Sequence, residues 1–297
     1  MPDRPTARKE DHLERGHTPA VLIEPSRVYF WWCRAISEVK DDREKDFMQR
    51  KKLVAANWKM YKTPEETRSF FTAFLPLVRH HDRDEIVVCP PYVDLPTALE
   101  CARGSNIAMG AQNVHWAKEG AFTGEISAIM LLAVGCTHVI VGHSERRQYF
   151  GENDDTVNLR LKAVLETSLT PIVCVGEVLE EREAGLTEEV LRRQCTRAFY
   201  KVSAKKAMKL VIAYEPVWAI GTGKTATPQM ASEAHSVIRA EAAKNFGQEF
   251  ADHLRILYGG SVKPENAKVL MSEEEIDGAL VGSASLDPKS FAAIVKY

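Results

Sequence analysis

The alternation of short apolar runs with longer amphipathic stretches, beginning at Leu53, is the feature that most constrains the fold. Eight runs have the length of a strand and are apolar almost throughout, which is typical of parallel strands covered on both faces. We predict strands at Leu53–Asn57, Ile86–Cys89, Ile107–Ala111, His138–Val141, Pro171–Val175, Leu210–Tyr214, Arg255–Tyr258 and Gly278–Val281. Eight strands, each followed by a helical segment within about 250 residues, predict an α/β protein with a single (β/α)8 barrel domain.

The segments between the strands carry helical periodicity and helix-start signals. A threonine precedes a proline at Thr63-Pro64 and at Thr227-Pro228, and Thr187 is followed by two glutamates. We predict helices over Glu65–Arg79, Thr156–Thr167, Glu188–Val202 and Met230–Phe246. An open eight-stranded sheet is the alternative. Such a sheet usually has a glycine-rich first turn for a nucleotide, whereas Trp58-Lys59-Met60 follows the first strand here.

Residues 1–47 do not share this pattern. They are rich in charged residues and contain one aromatic cluster, Val28-Tyr29-Phe30-Trp31-Trp32-Cys33, which is too short for the apolar part of a signal peptide with ordinary flanks. Their acidic residues also argue against an organelle transit peptide. Met48 then opens a polar lead into the first strand. We therefore predict a barrel domain over residues 48–297, and expect residues 1–47 to be a poorly ordered extension or the product of a misplaced start.

Composition excludes several classes of function. A formal net charge of -2 in 297 residues gives no basic surface for nucleic acid or acidic lipid. No apolar run approaches the ~20 residues of a membrane helix. The six cysteines form no CxxC pair, and Cys89 and Cys174 lie in predicted strands, which indicates reduced core residues. We expect a cytoplasmic protein that binds neither nucleic acid nor membrane.

Polar residues cluster where the predicted strands end. The first strand ends in Asn57-Trp58-Lys59, the fourth is followed by Gly142-His143-Ser144, and the sixth by Glu215. Small residues follow the seventh and eighth strands, at Gly259-Gly260-Ser261 and Gly282-Ser283. Each of these has an ordinary structural explanation when taken singly, as a surface lysine, a structural histidine, an ion-paired carboxylate or a turn. Because chemistry in a (β/α)8 barrel takes place at the C-terminal ends of the strands, their common position favours a site.

This set of side chains suits abstraction of a proton next to a carbonyl group. Glu215 supplies a carboxylate base, and His143 and Lys59 supply a donor and a cation that can stabilise an oxygen gaining negative charge. The turns at Gly260-Ser261-Val262 and Gly282-Ser283-Ala284 can direct backbone N–H groups at an anion. The sequence shows no nucleophile beside a histidine, no metal-ligand triad and no nucleotide loop. The predicted substrate is a small phosphorylated aldose or ketose.

The segment after Glu215 has the composition of a mobile lid. A proline and an apolar tip, Ile220, lead into Gly221-Thr222-Gly223. We interpret the segment as a loop that closes over the carboxylate and excludes water, which raises the pKa of the carboxylate and makes it a stronger base. The lid residues are Pro216, Val217, Trp218, Ala219, Ile220, Gly221, Thr222, Gly223, Lys224, Thr225 and Ala226.

The chain from about Lys51 to Tyr297 resembles the triosephosphate isomerase family, whose fold is the TIM barrel. The motifs that carry the resemblance are Ala56-Asn57-Trp58-Lys59-Met60, Gly110–Asn113, Gly120–Glu125, Val141–Arg147, Cys174–Glu177, Tyr214–Ala226, Tyr258–Val262 and Asp277–Gly282. The resemblance implies interconversion of dihydroxyacetone phosphate and D-glyceraldehyde 3-phosphate through an enediolate, in glycolysis and gluconeogenesis. It implies no cofactor and no metal.

The resemblance also assigns roles to the residues at the strand ends. Glu215 matches the proton acceptor, His143 matches the electrophile, and Lys59 matches the cation beside the substrate. Substrate contacts are implied for Asn57, Lys59, Gly221, Ser261, Gly282 and Ser283. Glu145 is expected near Lys59, and Glu177 is expected in an ion-pair network that seats the lid.

The lid and one loop have further counterparts in the family. Pro216-Val217-Trp218 and Lys224-Thr225-Ala226 match its two hinges, and Ile220 and Leu280 would flank Glu215 in the closed state. The loop Gln112–Glu125 is expected to enter a neighbouring subunit and support its Asn57 and Lys59, so the resemblance implies a homodimer.

One position departs from the family pattern. Many members have two glycines where this chain has Gly282-Ser283. A serine keeps the backbone N–H, but it would be strained if the position requires a positive φ.

Two other functions remain open at the level of the sequence. A sugar-phosphate epimerase on the same barrel would generally need metal-binding His and Asp at the strand ends, which the sequence lacks. A barrel kept as a binding or scaffold protein would be signalled by loss of Lys59, His143 or Glu215, and all three are present.

Overall fold

The computed structural model describes residues 50–220 and 225–297. The predictions for residues 1–47 and for Gly221, Thr222, Gly223 and Lys224 of the lid lie outside these ranges. Within them, all eight predicted strands are present and each is followed by at least one helix.

The eight strands form one closed parallel barrel in chain order. They span Leu53–Asn57 (β1), Glu85–Cys89 (β2), Ile107–Ala111 (β3), His138–Val141 (β4), Thr170–Val175 (β5), Val211–Tyr214 (β6), Arg255–Tyr258 (β7) and Gly278–Val281 (β8). β1 pairs with both β2 and β8, with Asn57 opposite Cys89. Closure confirms the predicted fold and rules out the open sheet. Three strands begin one residue away from the prediction, at Glu85, Thr170 and Val211.

Side chains alternate between the inside of the barrel and its outer wall. In β1, Leu53 and Ala55 belong to the cluster inside the barrel, whereas Val54 and Ala56 belong to the larger cluster beneath the helices. The inner cluster consists of Leu53, Ala55, Val87, Cys89, Ile140, Ile172, Cys174, Val211, Ala213, Leu257 and Leu280. Since both faces of each strand meet apolar atoms, an unbroken apolar run marks a strand in this sequence.

The helices pack on the outside of the barrel. They span Pro64–Val78 (α1), Leu95–Cys101 (α2), Ala128–Val134 (α3), Ser144–Tyr149 (α4), Asp154–Leu165 (α5), Leu179–Glu183 (α6), Thr187–Phe199 (α7), Ala204–Ala207 (α8), Pro228–Phe246 (α9), Gln248–His253 (α10), Pro264–Met271 (α11) and Pro288–Val295 (α12). Short 3-10 turns lie at Tyr92–Asp94, Val217–Ala219 and Ser283–Ser285. The four predicted helices correspond to α1, α5, α7 and α9. In the two described ranges, no helix is long and apolar enough to cross a bilayer.

Side-chain caps explain where several helices begin. Thr63 and Glu66 form a capping box at α1, in which the carboxylate accepts the N–H of Thr63 at 2.8 Å. Thr227 accepts an N–H from the first turn of α9 at 3.2 Å. α5 begins two residues earlier than predicted because Asn153 caps it, accepting the N–H of Thr156 at 3.0 Å.

The N-terminal end of the barrel is closed by ion pairs. Asp277, just before β8, contacts Arg50 at 2.6 Å and Arg239 at 2.9 Å. Arg255 at the start of β7 contacts Glu85 at the start of β2 at 2.6 Å. Each of these charges meets an opposite charge, so this end of the barrel serves stability.

Candidate active site

A cleft of about 1100 Å³ opens at the C-terminal end of the barrel. Its lining includes Asn57, Lys59, His143, Glu145, Glu215, Ile220, Ser261, Leu280, Gly282 and Ser283. Of the predicted catalytic and substrate-contacting residues, only Gly221 lies outside the described ranges. A second cleft of about 610 Å³, between α7 and α9, contains none of the predicted site residues.

Glu215 follows β6 and is 2% exposed. One carboxylate oxygen, Oε2, accepts the backbone N–H of Ser144 at 2.9 Å. The other, Oε1, accepts the Ser144 hydroxyl at 2.9 Å and lies 3.0 Å from Nε2 of His143. Gly259 leaves room for this carboxylate, because a Cβ there would lie 3.0 Å from Cγ of Glu215. The candidate base is therefore held by donors from the segment that joins β4 to α4.

These neighbours decide the protonation state of Glu215. Burial alone raises the pKa of the carboxyl group, but the His143 ring and the two Ser144 donors outweigh burial and bring the pKa below its usual value. The side chain is consequently a carboxylate at neutral pH. The buried thiol of Cys174 lies beside it, and burial together with Glu215 raises the pKa of that thiol far above its usual value, so it stays protonated.

His143 stands at the N-terminus of α4 and its ring is oriented from both sides. The backbone N–H of Glu145 donates to Nδ1 at 3.2 Å, so Nδ1 carries a lone pair and the proton of the neutral ring lies on Nε2. Nε2 faces Glu215. Burial lowers the pKa of His143, but the Glu215 carboxylate more than offsets burial, and the pKa lies above its usual value in this arrangement. The two groups therefore control each other's charge.

Lys59 has a left-handed backbone with φ of 53°, which is uncommon for a residue with a side chain. Its N–H donates to Oδ1 of Asn57 at 3.1 Å, and its carbonyl accepts from Gln112 at 2.8 Å. Its ammonium contacts Oε1 of Glu145 at 2.6 Å. Contacts to three different segments thus hold both the strained backbone and the charged end of this lysine.

Glu177 lies beside the start of the segment that the sequence predicts to be a lid. Its side chain is fully buried, and Oε1 accepts from the hydroxyl of Tyr214 at 3.1 Å and from the indole N–H of Trp218 at 2.8 Å. Its backbone carbonyl accepts the N–H of Val217 at 3.1 Å, and Arg182 approaches the same carboxylate at 3.7 Å. Of these contacts to the Glu177 carboxylate, the one from Arg182 is an ion pair and the other two have neutral donors.

The turns after β7 and β8 line the cleft. Asn266 holds the carbonyl of Ser261 at 3.0 Å. The carbonyl of Gly282 accepts the N–H of Ser285 at 2.9 Å. Within the described ranges, the N–H groups of Ser261 and Ser283 have no backbone or side-chain acceptor. Ser283 is not among the residues with positive φ, so its backbone is free of the strain that a left-handed position would cause.

The loop Gln112–Glu125 is organised around a stack of rings. The ring of His115 lies 4.3 Å from Trp116 and 4.4 Å from Phe122. Phe122 is 46% exposed, and Met60, next to Lys59, is 93% exposed. The loop and the segment after β1 thus each expose large apolar side chains in a single chain.

Two contacts of the site were not foreseen as such from the sequence. Ser144 holds the candidate base, and Gln112 bridges the carbonyls of Lys59 and Cys89 at 2.8 and 2.9 Å. Both are polar residues that directly follow a strand or its end motif, which is the same signal that identified the other site residues. Their partners are remote in the chain, so only the closed barrel shows which groups they touch.

The arrangement first defines a class. A carboxylate and an imidazole in contact on the C-terminal rim, with a lysine and uncommitted N–H groups nearby, are typical of an acid–base enzyme on a (β/α)8 barrel.

Comparison with known proteins identifies the family. The family model for triosephosphate isomerase matches residues 52–297. A triosephosphate isomerase from Solibacter usitatus is 60% identical over 248 residues, which is 84% of this chain and 100% of that protein. Those from Carboxydothermus hydrogenoformans and Citrifermentans bemidjiense are 54% and 53% identical, over 83% and 84% of this chain and 98% and 99% of their own lengths. The chain belongs to the triosephosphate isomerase family.

Proposed function

We propose that Glu215, His143 and Lys59 carry out the reaction of this family, the interconversion of dihydroxyacetone phosphate and D-glyceraldehyde 3-phosphate through an enediolate. The observation that most supports the proposal is the buried carboxylate of Glu215 at 3.0 Å from Nε2 of His143, on the same rim as Lys59. A base, a neutral donor and a cation are the groups that proton abstraction beside a carbonyl needs.

The substrate is held at both ends in this proposal. Its phosphate binds the N–H groups of Ser261, Gly282 and Ser283, with Gly221 of the lid as a further donor. Its carbonyl oxygen faces Nε2 of His143 and the ammonium of Lys59, and Asn57 contacts the substrate beside them. Glu145 holds the ammonium at 2.6 Å, which fixes the cation before the substrate arrives.

Glu215 must exchange partners in order to react. In the resting arrangement its oxygens are occupied by Ser144 and His143. When the lid closes, with Ile220 above the site and Leu280 below it, the carboxylate turns to the substrate carbon and accepts a proton. It then returns that proton to the adjacent carbon, while Nε2 of His143 gives its proton to the former carbonyl oxygen and takes one back from the neighbouring hydroxyl, so the isomerisation is balanced without any other reactant.

The same exchange adjusts both protonation states. Away from Ser144 and His143, Glu215 keeps its burial but loses the donors that lower its pKa, so it becomes a stronger base. His143 loses the negative charge that raises its pKa, while burial and the N–H of Glu145 at Nδ1 remain. The ring is therefore neutral during the reaction and donates from Nε2 to the developing oxyanion.

Glu215→Gln tests the proposal with an isosteric change that removes only the basic oxygen. Isomerisation of glyceraldehyde 3-phosphate, followed in a coupled assay, should fall by about 10²-fold or more, since general-base catalysis contributes about 10² to 10⁴. Thermal unfolding should stay close to that of the unmodified chain. A variant that keeps its turnover would exclude Glu215 from the mechanism.

We also propose that the chain forms a homodimer through the loop Gln112–Glu125. The support is that Trp116 and Phe122 in this loop, and Met60 next to Lys59, expose apolar side chains of a kind that proteins usually cover. Phe122→Asp should shift sedimentation towards the monomer and lower activity, because the partner's loop would no longer support Lys59. A fully active monomer of the unmodified chain at assay concentration contradicts this proposal.

A cytoplasmic location is proposed on the chemistry of the thiols. Cys89, Cys101, Cys136, Cys174 and Cys195 are free in the part of the chain that the structure describes. Such thiols persist in reducing compartments. Fractionation of the source cells checks the location, and recovery outside the cytoplasm would exclude it.

A further inference from the structure

The turn after β8 contains two serines in contrasting settings. Ser285 is fully buried, and its hydroxyl donates to the carbonyl of Gly282 at 2.7 Å. Ser283 lines the cleft, and its side chain is exposed. Among the residues that the structure describes, no group forms a hydrogen bond with the Ser283 hydroxyl. One serine therefore stabilises the turn, and the other offers an uncommitted donor to the cleft.

The side chain of Lys59 lies close to the same turn. A Cβ added to Gly282 would lie 3.6 Å from Cε and 3.9 Å from Nζ of Lys59. The ammonium is therefore close to the backbone that precedes Ser283. An anion that contacts this ammonium and the N–H of Ser283 has the Ser283 hydroxyl within its reach, because the hydroxyl and the N–H belong to one residue.

We propose that the hydroxyl of Ser283 donates a hydrogen bond to a phosphate oxygen of the substrate and strengthens the preference for phosphorylated substrates. The inference rests on the proposed phosphate site at this turn. A phosphate dianion offers only acceptors, so the serine acts as donor, and a bond to a charged acceptor is stronger than one between neutral groups. A glycine at this position would supply the backbone N–H alone.

The primary test measures competitive inhibition by inorganic phosphate. Ser283→Ala should raise the inhibition constant by about tenfold or more, as expected for the loss of one hydrogen bond to a charged group. Ser283→Thr keeps the hydroxyl and should stay within about twofold of the unmodified chain, allowing for its extra methyl group. Ser290→Ala, a change in the same cleft, is the matched control and should leave inhibition unchanged. A threonine variant as weak as the alanine variant overturns the role of the hydroxyl.

A second readout separates phosphate binding from general damage to the site. Ser283→Ala should lower kcat/KM for glyceraldehyde 3-phosphate by a similar factor, and lower it much less for unphosphorylated glyceraldehyde. Equal losses on both substrates would overturn the inference, because a distorted site would affect both.

Ser283→Asp tests whether phosphate binds at this turn, separately from the role of the Ser283 hydroxyl. A carboxylate at this turn should repel phosphate and raise its inhibition constant far more than the alanine change does. If Ser283→Asp weakens inhibition but Ser283→Ala does not, the phosphate site stands and the hydroxyl role is wrong. If neither change affects inhibition, the phosphate site is also wrong.

Discussion

Buried carboxylates lie at both ends of this barrel, and they are held in different ways. At the N-terminal end, Asp277 lies between the guanidinium groups of Arg50 and Arg239. At the C-terminal end, Glu215 is held by the N–H and hydroxyl of Ser144 and by His143. Two arginines hold Asp277 in place, whereas the donors around Glu215 can be replaced by a substrate in the proposed mechanism. A buried carboxylate thus gives stability at one end and is the proposed base at the other.

The largest effect is expected from shortening the carboxylate on the reactive end. Glu215→Asp displaces the base without removing it, so kcat should fall by about 10²-fold or more while KM changes much less. Steady-state kinetics over a range of substrate concentrations measure kcat and KM separately. A rise in KM with unchanged kcat would mean that Glu215 binds the substrate and does not take its proton.

At the N-terminal end, a substitution should lower the stability of the fold and leave turnover nearly unchanged. Asp277→Ala removes the carboxylate that contacts both Arg50 and Arg239 and should lower the free energy of unfolding by about 3–5 kcal/mol, as for other broken buried pairs. Urea unfolding at one fixed protein concentration measures this loss, and kcat of the folded variant should stay near that of the unmodified chain. Glu100→Ala removes an exposed pair with Arg68 and is the control that should barely change stability. A large loss of kcat in Asp277→Ala would show that the two ends are coupled.

A buried histidine at the stable end should make the fold sensitive to acid. Burial, followed by the nearby positive charge of Arg239, lowers the pKa of His235 from 6.5 to about 4, against the opposing effect of the Glu275 carbonyl 2.9 Å from Nδ1. The unfolded chain binds this proton more readily, so stability is complete above pH 6.5 and falls towards pH 4. The loss should reach about 2 kcal/mol between pH 7.5 and 5. Urea unfolding of the unmodified chain and His235→Gln at both pH values isolates this contribution, and equal losses in the two proteins would contradict it.

The two histidines show where prediction from the sequence ends. His143 could be chosen because it follows β4, and the barrel brings strand ends together whatever their separation in the chain. The strands could be predicted from unbroken apolar runs, because apolar atoms cover both faces of each strand. The sequence could not show that the surroundings shift the pKa values of the two rings in opposite directions. Burial and Arg239 lower the pKa of His235, whereas Glu215 outweighs burial and raises the pKa of His143.

The sequence also could not predict which residues have a strained backbone. Lys59 adopts a positive φ and Ser283 does not, although the family pattern of glycines suggested strain only at the serine. The lysine is held by Asn57 and Gln112, and the second of these lies 53 positions away. Tertiary contacts of this kind override local preference, and no local pattern in the sequence reports them.

The smallest effect is expected from removing one hydrogen bond to the Glu215 carboxylate. Ser144→Ala removes the hydroxyl bond to Oε1 of Glu215 and leaves the backbone N–H in place. The lost bond favours the ionised form, so its removal should raise the pKa of Glu215 in the free enzyme. The acid limb of the profile of kcat/KM against pH should then move upward by about half a unit to one unit.

The substrate phosphate titrates in the same range as that limb, so Ser290→Ala, measured in parallel with Ser144→Ala, supplies the reference profile. An acid limb that stays in place would mean that the backbone N–H and His143 alone set the charge of the base. A limb that moves downward would mean that the hydroxyl accepts a hydrogen bond from a protonated Glu215, which would reverse the assignment of the resting state.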